Sequence, residues 1–130
     1  MTLGRFDEIL NLSLEDNIQF FSLQKGEGEV DASRETRLTS FMDEVTDFDD
    51  TAGIIANLDL VISVDTSVVH LAGALGKPVW VLSRKDACWR WLENRESSPW
   101  YPNARVYGQP ATGDWDSVMK RIKSDLEKLL

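Results

Sequence analysis

Apolar residues recur along this chain in two periods, and the switch from one to the other marks its elements. Leu3, Phe6, Ile9, Leu10 and Leu14 follow helical spacing with Asp7 and Glu8 on the wet side, which predicts an amphipathic helix over 3–13. Ile18 to Leu23 is an apolar and aromatic run of strand composition that opens into Gln24, Lys25, Gly26, Glu27 and Gly28. Phe41 to Val45 reads as a short strand. Asp49 or Asp50 then caps a helix over 51–58 whose Ile54, Ile55 and Leu58 can face a sheet. Leu60 to Val64 and Pro78 to Leu82 are β-branched apolar runs of the kind that fill buried strands. Between them Ser67 to Leu75 has helical composition, with Gly76 as its C-cap and Pro78 forbidding continuation; Leu71 and Leu75, four apart, can face the sheet. Ala104 to Tyr107 predicts the last strand. Gly113 and Asp114 turn and cap a closing helix over 115–129, with Val118, Ile122, Leu126 and Leu129 as its apolar stripe.

This order of helices and strands indicates an open α/β layer with helices on both faces. The strand, helix, strand unit over 60–82 requires parallel strands and a crossover. Asp65, Thr66 and Ser67 therefore stand at the carboxyl end of its first strand, the edge where open sheets hold ligands. The amides of the first helical turn point to the same edge, ready for an anion such as a diphosphate. Asp, Thr and Ser are also ordinary capping residues, so capping alone explains them equally well. His70 lies four residues after Thr66 and can look toward the crevice; taken by itself it reads as a core or surface residue. Ala72, Gly73, Ala74 and Gly76 are small enough to admit a backbone or a flat ligand. Lys25 ends another strand and could meet a phosphate, or be one more solvated lysine.

A length of 130 residues suits one domain with a real core. The formal net charge of −8 argues against broad contact with nucleic acid or anionic membrane, because the protein's field repels both polyanions. The single cysteine, Cys88, excludes an internal disulfide and fits a reducing compartment; with no signal-like or membrane-spanning run, a cytoplasmic location is expected. The acidic stretch over 28–50 has no calcium-loop or His/Cys spacing and reads as a solvated face. Glycine-rich dinucleotide and phosphate loops are missing, and Ser67 is in no Gly-x-Ser-x-Gly elbow.

Four of the five tryptophans fall between positions 80 and 100. Trp80 belongs to a strand, whereas Trp89, Trp91 and Trp100 lie in the long segment that leaves the ligand edge. With Arg90 between them, Trp89 and Trp91 could stack on a base or a sugar ring. The alternative, a common use of tryptophan, is that at least two of Trp89, Trp91 and Trp100 pack a small satellite core under the loop.

The run from Asp47 to Val81 contains Asp-Leu-Val-Ile-Ser-Val-Asp-Thr-Ser-x-x-His-Leu-Ala-Gly-Ala-Leu-Gly-Lys-Pro-Val-Trp. It resembles the carboxyl-terminal, donor-binding domain of the bacterial heptosyltransferase-like glycosyltransferases of family 9, in the form fused behind tetratricopeptide repeats. The likeness extends to Phe21 to Gly26, the tryptophan segment, Ser-Pro-Trp-Tyr-Pro and Gly-Asp-Trp. It implies a Rossmann-like open parallel sheet, the carboxyl-terminal half of a GT-B enzyme, and a nucleotide-diphosphate sugar as ligand. By that resemblance Thr66 and Ser67 present amides and hydroxyls to the diphosphate, Asp65 positions the turn or a sugar hydroxyl, His70 reaches in from the next turn, and Lys25 is the basic partner. Neither metal nor cofactor is implied, since helix amides and basic side chains stabilise the leaving group.

Two departures stand out. The acceptor-binding amino-terminal domain and any repeats have no counterpart in this sequence, so the chain is expected to be a fragment of a larger protein that binds a donor and does not transfer it alone. Cys88 stands where relatives carry an aspartate before the tryptophan, which weakens a sugar-contact role for Trp89, Arg90 and Trp91. Three functions stay open: the donor half of a glycosyltransferase, a nucleotide-binding module without transfer, and a scaffold that uses the exposed edge for protein contacts.

Overall fold

A computed structural model describes residues 2–15, 17–26, 28–86 and 96–130. The expected first helix is broken into a 3-10 turn, Leu3–Phe6, and two short helices, α1 (Asp7–Leu10) and α2 (Leu12–Glu15). Ile9, Leu10 and Leu12 are buried, whereas Leu14 is exposed and leaves the predicted stripe. Arg37 clasps this segment, donating to the Asp7 carboxylate at 2.9 Å and to Asn11 Oδ1 at 2.6 Å.

Strand β1 (Phe20–Ser22) pairs in parallel with β2 (Leu38–Ser40) through α3 (Glu29–Arg34). The first strand lies in the predicted Ile18 to Leu23 run, whereas α3 and β2 fall in the acidic stretch over 28–50 that composition reads as a solvated face. The predicted strand over 41–45 is instead a 3-10 turn, Met42–Glu44, that drops the Met42 side chain into the core. Helix α4 (Phe48–Ala56) begins earlier than expected, and its cap is Asp47, which accepts from the Asp50 amide at 2.9 Å. Asp50 is no cap: its carboxylate reaches back to accept from the amide and hydroxyl of Thr46, both at 2.9 Å.

The predicted central unit is present. Strand β3 (Val61–Val64), helix α5 (Ser67–Ala74) and strand β4 (Val79–Ser83) follow in order, and β3 and β4 are parallel with Val61 opposite Val79. Gly76 takes a φ of 72° just past α5, the left-handed geometry expected of its glycine. Leu75 lies beyond the last helical turn and is exposed, so Val69 and Ala72 are the fully buried residues of α5. Strand β5 (Ala104–Gly108) pairs in parallel on the other side of β4.

All five residues of β4 are buried, and alternation sends them into two cores. Val79 and Val81 meet Ile55 of α4 and Val69 and Ala72 of α5. Trp80 and Leu82 meet Ile9, Leu12 and the closing helix α6 (Trp115–Leu129) through Val118, Met119, Ile122 and Leu126. Leu129, expected in that stripe, is exposed. Helices thus cover both faces of a parallel sheet. The strands form two ladders, β1 with β2 and β3-β4-β5, where one continuous sheet was expected. Packing joins them: Phe20 of β1 and Ile62 and Val64 of β3 lie against the same core.

Several carboxylates are tied down in this fold. The Arg37 side chain holds Glu35 down to about 2, the Thr46 amide lowers Asp50, and the Ser117 hydroxyl and amide lower Asp114, the cap of α6. Partial burial opposes ionisation of Asp125, but the Tyr107 hydroxyl at 2.9 Å and the Arg105 guanidinium at 3.0 Å hold it ionised. A carboxylate whose native value is depressed favours folding fully above its unfolded value, about 4, and loses that contribution as pH falls toward the native value. Urea midpoints are therefore expected to hold between about pH 7 and pH 5 and to fall between about pH 4 and pH 2. Equal midpoints at about pH 5 and pH 2 would count against these pairings.

Candidate functional site

The loop leaving β3 turns directly into α5, so Asp65, Thr66 and Ser67 stand together at the carboxyl end of a parallel strand. Thr66 occupies the N-cap position, yet its side chain makes no capping bond. The Ser63 hydroxyl donates to the Val64 carbonyl at 2.9 Å, which leaves its oxygen to accept from the Thr66 hydroxyl at 3.3 Å. The side chain that would ordinarily close the helix is turned back toward the strand. The first intrahelical bond, Val69 amide to Thr66 carbonyl, begins after the amides of Ser67 and Val68. A helix start of this kind attracts anions.

His70, one turn into α5, is brought to the same edge and away from the sheet. Its Nε2 lies 3.3 Å from Asp65 Oδ1 and its Nδ1 lies 3.0 Å from the Tyr101 hydroxyl. Tyr101 was not singled out by sequence reasoning. The signal available was Gly73: a Cβ there would meet the Tyr101 ring at 2.6 Å. The space kept open by small residues on α5 is filled at Gly73 by the chain's own tyrosine.

Lys25 is held elsewhere. Its ammonium donates to the Met42 carbonyl and lies 3.8 Å from Glu29, so its described bonds join the β1 end to the 3-10 turn. Trp89, Arg90 and Trp91, with Cys88, lie outside the described residues. Trp100 is exposed, with its amide donating to the buried Ser98 hydroxyl at 3.1 Å.

A separate cleft of about 530 Å³ is lined by Phe21, Phe41 and Val45, by Ile54 of α4 and by Leu58 just beyond that helix. Its rim carries Glu44, Asp49 and Asp50 and no basic residue, so a diphosphate would be repelled there. Among the described residues, no three His, Cys, Asp or Glu side chains gather as a metal site, and no helix is long and apolar enough to cross a membrane.

The family model for glycosyltransferase family 9 (heptosyltransferase) matches residues 4–112, taking in both strand, helix, strand units and the segment that carries Tyr101. The chain belongs to this family. A relative, Protein FlbA of Caulobacter vibrioides, is 35% identical over 85 residues, which are 65% of this chain and 14% of FlbA. The chain thus aligns with a small part of that longer protein. No solved structure matches it. Membership makes glycosyl transfer the chemistry against which the site is to be read, and the site has the features of a binding edge: free helix amides, a carboxylate and an imidazole.

Proposed function

We propose that this chain binds the donor of a metal-independent glycosyl transfer, a nucleoside-diphosphate sugar, at the carboxyl edge of β3. The observation that carries this reading is the uncapped start of α5, with Thr66 turned back on Ser63 and His70 beside it. The diphosphate accepts from the amides of Ser67 and Val68 and from His70. Asp65, 3.3 Å from the imidazole Nε2, helps to orient the ring and stands in the turn where a sugar hydroxyl would be met. In this reading the chain is the donor half, in GT-B terms the carboxyl-terminal half, of a longer protein whose acceptor-binding domain completes the active site. A tetratricopeptide-repeat region belongs to the same picture of the whole protein. A cytoplasmic setting is part of it too, in keeping with the single cysteine.

Lys25 is proposed as the basic partner of the diphosphate, exchanging Glu29 and the Met42 carbonyl for phosphate when the donor arrives. A calorimetric panel of UDP-, GDP-, ADP- and CMP-sugars, run on the wild type and on Lys25→Ala, tests the reading. One nucleotide class is expected to bind, and Lys25→Ala to weaken it by about tenfold, the worth of one charge-assisted bond. The folded far-UV spectrum of the variant should match the wild type. Binding by the wild type with no loss in Lys25→Ala would remove Lys25 from the site. No binding by any nucleotide would favour a scaffold.

A further inference from the structure

We propose that Tyr101 is a positioning residue for His70, holding the imidazole by Nδ1 so that its Nε2–H edge is the one presented at the start of α5. The inference rests on the donor-binding reading for its purpose, but its geometry stands on contacts within the chain.

Asp65 Oδ1 lies 3.3 Å from Nε2, and the field of a carboxylate at that distance favours the neutral tautomer with its proton on Nε2. Nδ1 then has only a lone pair, and the Tyr101 hydroxyl donates to it across 3.0 Å. When the ring is protonated, the same hydroxyl can rotate and accept from Nδ1–H. Tyrosine serves both states without any movement of the ring; phenylalanine serves neither.

Tyr101 is itself held from three directions. Ser98, buried, accepts the amides of Trp100 at 3.1 Å and of Tyr101 at 3.2 Å through one hydroxyl. The Tyr101 carbonyl accepts the Ala104 amide at 3.1 Å, which links it to the start of β5. The phenol ring lies in the gap over Gly73, where any larger residue would strike it. Asn103 Nδ2 also donates to the Gly76 carbonyl at 2.6 Å, tying the same segment to the far end of α5. The imidazole thus sits between a partner anchored in the fold, Tyr101, and a partner on the exposed turn, Asp65. A phosphate oxygen can take over the Nε2–H from Asp65 while Tyr101 keeps its grip. The donor then meets a histidine already oriented, with little side-chain freedom left to lose.

His70 is the one histidine of the chain, so nitrogen NMR of the full chain with labelled histidine reads this ring without assignment. In neutral wild type we expect a protonated Nε2 and an unprotonated Nδ1 shifted upfield by its hydrogen bond. Tyr101→Phe, and independently Gly73→Ala, which displaces the ring, should each move Nδ1 downfield toward a free pyridine-type nitrogen. Titrated with UDP and ADP, Tyr101→Phe should bind the preferred nucleotide about threefold to tenfold more weakly, the loss of one oriented bond. A proton on Nδ1 in the wild type, or an Nδ1 resonance untouched by both variants, overturns the proposal. Should the resonance move as expected while wild type binds no nucleoside diphosphate, the donor reading falls, and with it the ligand role given to the held ring.

Discussion

The purified 130-residue chain, mixed with nucleotide sugars and candidate acceptors, is expected to give no glycosylated product. Transfer requires the acceptor hydroxyl to lie in line with the anomeric carbon and near a base that takes its proton. Holding reactants in that geometry is worth effective molarities of roughly 10⁵ to 10⁸ M, and general-base assistance adds about 10² to 10⁴. In the proposed reading this edge holds the donor through helix amides and His70, while the acceptor surface and the base come from the rest of a longer protein. The cleft by Phe41 is on other elements and rimmed by acid. Slow donor hydrolysis is the most this chain should show. Mass spectrometry of reactions run with each donor class, compared with boiled protein, decides the matter. Glycosylated product formed at an ordinary enzymatic rate would mean that the active site lies elsewhere and is complete.

Replacement of His70 by alanine is expected to weaken nucleoside-diphosphate binding by about tenfold or more. The imidazole is half-buried between Asp65 and Tyr101, so its removal strips a donor from the phosphate and leaves the Asp65 carboxylate facing the anion with nothing between. Loss of a bond to a charged group is worth about 1.5–3 kcal/mol, and repulsion adds to it. Folding should change little, because the α5 residues that enter the core are Val69 and Ala72. The double variant Asp65→Asn with His70→Ala separates the two contributions: it should recover part of the affinity lost by His70→Ala alone. Titration calorimetry at fixed salt reads both. Unchanged affinity in His70→Ala would place the phosphates away from this helix.

What could be read from the chain follows from how local each signal is. The unit over 60–82 was legible because Gly76 and Pro78 leave α5 only one place to stop and the flanking runs are unbroken apolar. Helix α6 was legible from Asp114 to Leu129, since its stripe repeats over four turns; only Leu129, the last helical residue, departs from it and is exposed. Helix α3 was not, because six residues give no repeating stripe and its described buried side chain is Ala32. Strand β2 has three residues, too few to show alternation, and the neighbouring Phe41 to Val45 run carried the stronger apolar signal. The cap of α4 had three aspartates to choose from, and only the amide of Asp50 bonding to Asp47 distinguishes them. At the site, Asp65, Thr66, Ser67 and His70 were legible as one turn. Tyr101 was not, for its bond to His70 spans thirty-one residues and leaves no periodic trace. Lys25 was legible as a strand-end lysine, but its bonds to the Met42 carbonyl and Glu29 were not, because both partners come from short elements.

Amide chemical-shift mapping locates a bound nucleotide on the chain. When uniformly labelled protein is titrated with UDP, ADP, GDP and CMP, saturable shifts are expected that are largest at the amides of Ser67 and Val68 and at His70, with smaller ones at Tyr101. Saturable binding whose shifts centre on Phe21, Phe41 and Ile54, or a spectrum that no nucleotide perturbs, would contradict binding of the donor at the start of α5.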